Sequence, residues 1–163
     1  MKLVTMIAVL FVFWPLFSDA QTDHKRYARN VNENGDLRSE GWMRFHVKTG
    51  YWKFYHENGK VAEQGTFAYD KKEQYWFFFD EHRIRIKEGH FKNDQQVGWW
   101  LFYDKKGSVD HKCQLTDGVK DGFCLKYRQG KLVSAEKYAH GKKIDEWENF
   151  GDFTKENHVS ELK

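Results

Sequence analysis

The sequence predicts an all-β chain: one antiparallel β-meander of about five tandem β-hairpin repeats, forming an elongated, twisted single sheet. Three observations carry that expectation. First, a unit of about 24 residues recurs: Trp52, Trp76 and Trp100 stand 24 apart, Cys124 falls 24 further on and Trp147 another 23. Second, three more series keep step with the tryptophans. They are Gly35, Gly59, Arg83, Gly107 and Gly130; Gly41, Gly65, Gly89, Cys113 and Glu136; and Gly50, Gln74, Gly98, Gly122 and Asp145. A fixed period in this range marks a stacked repeat architecture, which usually presents surfaces for binding. Third, 18% of residues are aromatic and the single proline, Pro15, lies outside the repeats. Aromatic residues favour strands and dominate burial.

Residues 1–20 read as a secretory signal peptide. Lys2 supplies a positive start, Leu3 to Phe17 is apolar apart from Thr5, and Ser18-Asp19-Ala20 puts small residues at the cleavage positions. The apolar run is shorter than the roughly 18–20 residues a membrane span needs. Cleavage after Ala20 would leave Gln21 as the mature N-terminus and a secreted or periplasmic protein. Residues 21–33 form a lead-in, 34–152 the repeat domain and 153–163 a polar tail expected to fray. About ten strands are expected, the first near Asn34.

The third unit shows how a repeat is made. Ile84 to Phe91 alternates apolar and polar, Lys92 to Gly98 is rich in turn formers, and Trp99 to Tyr103 is aromatic before the turn Asp104-Lys105-Lys106-Gly107. Such runs bounded by Gly, Asn and Asp are strands, and glycine interrupts too often for a helical period. The aromatic strands then follow in order: Tyr51 to Tyr55, Tyr75 to Phe79, Trp99 to Tyr103, Phe123 to Tyr127, and a weaker fifth copy from Glu146 to Phe150.

Side chains alternate across a strand, so two faces emerge. Trp52, Phe54, Trp76, Phe78, Trp100 and Phe102, with Trp147 of the last copy, are assigned to the repeat core. Tyr51, Tyr55, Tyr75, Phe79, Trp99, Tyr103 and Tyr127 form the candidate binding face. Both faces are apolar in the middle units. Either the sheet curls over itself or something covers one face.

A glycine precedes each tryptophan by eleven residues, as in Gly41–Trp52, Gly65–Trp76 and Gly89–Trp100. A ring over a cross-strand glycine fills the space its missing side chain leaves. In the fourth unit the same two positions are Cys113 and Cys124, the only cysteines. Hairpin register would place them opposite each other, with Cα atoms roughly 4.5–5.5 Å apart, so a disulfide is expected. An oxidising destination would preserve it.

The run Asn58-Gly59-Lys60-Val61-Ala62-Glu63-Gln64-Gly65-Thr66-Phe67, with Gly98-Trp99-Trp100-Leu101-Phe102-Tyr103 one copy later, resembles the MORN-type repeat in its bacterial variant. The resemblance covers about Asn34 to Phe150. It implies an elongated β-meander and roles in protein–protein contact or association with membrane phospholipid, with no catalytic residues. Some proteins with this variant carry an antitoxin label. The chain departs from the pattern at Gln74, Arg83 and the Cys113/Cys124 pair, and an export signal departs from a cytoplasmic antitoxin role.

Enzyme chemistry finds no support in the motifs. The 8 histidines are scattered without zinc-ligand spacing, and there is no nucleophile elbow, P-loop or dinucleotide fingerprint. Neither a cofactor nor a metal is expected. The net charge of +3 is small and mixed in sign, which excludes a basic nucleic-acid footprint. The expectation is an exported, non-enzymatic interaction module with a protein partner. The alternatives are envelope association through phospholipid or glycan, and an immunity-like inhibitor of an enzyme.

Overall fold

The computed structural model describes residues 24–157, which form eleven antiparallel strands and one short helix. The strands are β1 (Arg26–Val31), β2 (Leu37–Arg44), β3 (Val47–Tyr55), β4 (Val61–Ala68), β5 (Lys71–Phe79), β6 (Arg85–Lys92), β7 (Gln95–Tyr103), β8 (Val109–Thr116), β9 (Val119–Arg128), β10 (Lys131–Ala139) and β11 (Lys142–Trp147). Helix α1 spans Phe150–Glu156. The strands lie in one open sheet in chain order, with β1 and β11 as its edges. The meander is therefore as expected. The expected signal peptide, its expected cleavage site and the tail beyond residue 157 lie outside the described residues.

Two kinds of turn alternate. Phe45-His46, Tyr69-Asp70, Asn93-Asp94, Asp117-Gly118 and His140-Gly141 are two-residue turns with both residues at positive φ. This geometry matches the twist of the strands it joins. On the opposite side, Asn32, Asp80 and Asp104 shape longer turns. The Oδ1 atom of each accepts two backbone N–H bonds, for example from His82 and Ile84 at Asp80. The glycine series of Gly35 and of Gly50 follow left-handed backbone. Arg83 (φ 71°) and Gln74 (φ 61°) hold that conformation without being glycine, at a cost of about 1–2 kcal/mol each.

The core is a row crossing the sheet. Ala28 pairs with Gly41, Gly41 with Trp52, Trp52 with Gly65, Trp76 with Gly89 and Gly89 with Trp100. The row continues from Trp100 to Cys113, Cys124 and Glu136. Each tryptophan ring lies over the glycine eleven residues before it, and a Cβ at Gly89 would sit 2.5 Å from the Trp100 ring. The three indoles donate to the carbonyl oxygens of Trp42, Thr66 and His90, ten residues earlier in each case. Phe67 and Phe91 meet the next tryptophan edge-on at 5.1 Å. Lys48 and Lys72 lay their cations over Trp52 and Trp76, at 5.7 and 4.3 Å from the ring centroids. Trp76 and Trp100 are 0% exposed, although no second sheet covers them among the described residues. Phenylalanine neighbours and lysine stems close this face.

The structure corrects the sequence reading at four places. The lead-in contains β1, so the sheet starts at Arg26 rather than near Asn34 and has eleven strands. Polar β1 lacks the tryptophan signature because Ala28 stands where the row would place the ring. Trp147 is buried, but on the opposite face. The short Gln129-Gly130 turn accounts for the 23-residue step to Trp147, but the β11 bulge also has one residue fewer than the β9 bulge. Glu146 therefore takes the row position opposite Glu136, while Trp147 pairs with Ala135. A one-residue slip exchanges the faces. The fifth aromatic strand also ends at Trp147. Asn149 accepts the Asp152 N–H at 2.9 Å and caps α1. Finally, the tail does not begin at Phe153. That ring is fully buried in a cluster with Phe123, Leu125, Ala135 and Trp147.

The disulfide is present: Cys113 and Cys124 are bonded across β8 and β9. Their Cα atoms are 4.0 Å apart, closer than expected.

Candidate functional site

The face opposite the tryptophan row carries the predicted binding residues, and the structure divides them. Tyr51 on β3 is exposed. The Tyr55 hydroxyl donates to Glu40 Oε1 at 2.6 Å, and that of Tyr103 to Glu88 Oε1 at 2.7 Å. Tyr75 packs on Phe77 and edge-on against His90. Phe79 pairs with Arg85 at the end of β5. Trp99 lies under the Lys112 cation at 4.4 Å, and with Tyr127 packs against the Phe123–Trp147 cluster. A spacing of fifteen residues links these side chains to their partners. Tyr55 has Glu40 and Tyr103 has Glu88, whereas Phe79, without a hydroxyl, has Gln64 at the same spacing. Much of the tyrosine face is thus stitched internally.

Electrostatics follow from that stitching. Glu88 is buried, and Arg85 Nη1 meets its Oε2 at 2.7 Å. Burial, then the charge of Glu88, pushes the Tyr75 hydroxyl up to about 12. Burial, then the hydrogen bond to Glu40, does the same to Tyr55. Burial lowers the Lys112 ammonium pKa. For the phenols the fold favours the neutral form. Their stabilisation is complete below the unfolded pKa, about 10, and is lost as pH rises through about 12. An absorbance titration of tyrosinate is expected to show Tyr55 and Tyr75 ionising last, together with alkaline unfolding. Full ionisation by pH 11 in folded protein would contradict it.

The three most exposed aromatics, Tyr69, Phe45 and Tyr27, are ones the sequence reading did not single out. Phe45 is 63% and Tyr69 84% exposed, and Tyr27 and Trp42 join them. Phe45 and Tyr69 stand 24 apart, each first in a two-residue turn, at φ 48° and 51°. The third and fourth turns place Asn93 and Asp117 there, residues that tolerate left-handed backbone. The contrast along the period was the available signal. Together the two rings border a groove of about 400 Å³ whose floor includes Val47, Thr49 and Ala68. Lys25 Nζ sits 4.7 Å from the Trp42 ring centroid, and the Arg44 guanidinium 5.6 Å from that of Phe45.

Among the described residues no three His, Cys, Asp or Glu side chains gather to hold a metal ion, and no helix is long and apolar enough to cross a membrane. No family model and no curated protein matches the chain. Among solved structures, one of accessory secretory protein 1, 2 and 3 in Streptococcus pneumoniae is similar, with a TM-score of 0.36 and 12% identity. The alignment covers 80% of this chain and 23% of that chain. A likeness of that degree establishes nothing about function.

Proposed function

We propose that this chain is an exported, non-enzymatic binding module that takes a protein partner on the β1–β5 end of its tyrosine face. One observation carries the reading. Phe45 and Tyr69 occupy left-handed turn positions where a bulky side chain costs about 1–2 kcal/mol, and the fold gains little burial in return. Strain that folding does not repay is characteristic of functional positions. Exposed aromatic anchors beside a groove suit a protein surface. The Cys113–Cys124 bond is compatible with an oxidising compartment, and the MORN-type resemblance of the repeat agrees with a binding role.

The test is the double substitution Phe45→Asn, Tyr69→Asn, which installs a residue suited to the turn. Thermal stability is expected to hold or rise, while capture of the partner from secreted or envelope extract falls more than about tenfold. Undiminished capture would overturn the proposal. A second reading is favoured by the cations lying against exposed rings at Trp42 and Phe45, an arrangement that also suits a phospholipid interface. Sedimentation of the purified chain with anionic vesicles, lost in the same variant, would favour that reading.

A further inference from the structure

We infer that the β1 edge is a docking strand for an acidic, extended segment of the partner, which would add as a twelfth antiparallel strand. The inference rests on the chain being a protein-binding module and adds the partner's chemistry. The two edges of the sheet differ. At the far edge, β11 mixes Lys142 and Lys143 with Asp145 and Glu146, and α1 packs against β10 and β11. At the near edge, Lys25, Arg26 and Arg29 stand on or beside β1 with no acid between residues 24 and 32. All of β1 is exposed except Ala28. An edge strand presents unpaired backbone donors and acceptors, and extended peptides use them.

The repeat also shows what the added strand would meet. Ala28 lies 24 residues before Trp52 and in the same cross-sheet row. A tryptophan at position 28 would need a glycine strand beyond β1 to lie over, and none precedes it among the described residues. The small side chain leaves a groove of about 490 Å³ along β1, lined by Ala28, Met43, His46, Lys48, Trp52 and Asp70. Asp70 is already engaged, since its Oδ1 accepts the Lys48 backbone N–H at 2.7 Å. An incoming strand would set a large apolar side chain opposite Ala28, and acids opposite Arg26 on one face and Arg29 on the other. Arg29 meets Glu40 at 3.6 Å, and its side chain is mostly exposed. A second copy is the poorer occupant, because antiparallel pairing of β1 with itself would bring the same cations together in one interface.

The probe is the blocked peptide Val-Thr-Glu-Trp-Val-Glu, whose order sets Glu opposite Arg29 and Arg26 and Trp opposite Ala28. Titration calorimetry and hydrogen exchange on the full chain read the outcome. Binding is expected, with new protection confined to the amides of β1. N-methylation of the peptide amides that face β1 should weaken it more than about tenfold. The Arg26→Glu, Arg29→Glu variant should lose this peptide and gain the one with Lys in place of Glu. No binding up to millimolar peptide, equal binding of the methylated peptide, or protection elsewhere would each overturn the inference. The Phe45→Asn, Tyr69→Asn variant separates it from the broader reading. If partner capture depends on those rings while the peptide fails to bind wild-type protein, only the edge inference falls.

Discussion

Replacing Trp76 by alanine is expected to lower the unfolding free energy by about 3–5 kcal/mol, a range set by aromatic truncations in packed cores. Trp76 is 0% exposed at the middle of the row and touches Phe54, Phe67, Phe78 and Phe91. Its indole N–H donates to the Thr66 carbonyl oxygen at 3.1 Å. Among the described residues the sheet has no second layer, so neighbouring strands have little to collapse onto when the ring goes. The glycine beneath it is coupled to it. Gly65→Ala alone should cost about 1–3 kcal/mol, because the new methyl runs into the Trp76 ring. In the Trp76→Ala background the same change should cost close to nothing. Denaturant unfolding of the four proteins in this cycle measures the coupling. Additive effects would mean that the ring does not rest on the glycine.

Reduction of Cys113–Cys124 is expected to cost up to about 3 kcal/mol, the scale for a short closed loop. The effect should be local. Both sulfurs are buried in a cluster with Trp100 and Leu115, next to Phe102 and Tyr138. Cys113 is the row partner of Trp100, so the bond joins the tryptophan ladder to the last strands. Hydrogen exchange after reduction should show β8 to β11 losing protection before β3 to β6. Cys113→Ala with Cys124→Ala should reproduce that loss. Cys113→Gly with Cys124→Trp should recover part of it under reducing conditions, since it restores the pairing of the preceding units. Uniform loss across the sheet would show that the bond acts on global rather than local stability.

The features legible in the sequence are those fixed by spacing along the chain. The period, the hairpins, the glycine under each tryptophan and the disulfide all follow from residues eleven or 24 apart, because register carries one position onto the next strand. The site was less legible. Tyr51, Tyr55 and Tyr103 were placed on the correct face, but the chain order does not show that Glu40 and Glu88 take up two of their hydroxyls. Nor does it rank exposure, which put Phe45 and Tyr69 ahead of all of them. The β11 bulge, one residue shorter than that of β9, moved Trp147 to the other face and let Phe153 bury itself there. Alternation by two makes a small change in count a full change of side. The edge at β1 was likewise decided only by the assembled sheet, since Ala28 becomes informative once it is seen in the tryptophan row. By itself, then, the sequence determined the repeat and its pairing, which are local and periodic. The tertiary structure decided which rings are covered and which edge stays open among the described residues, because burial depends on neighbours two strands away and on the parity that brings them there.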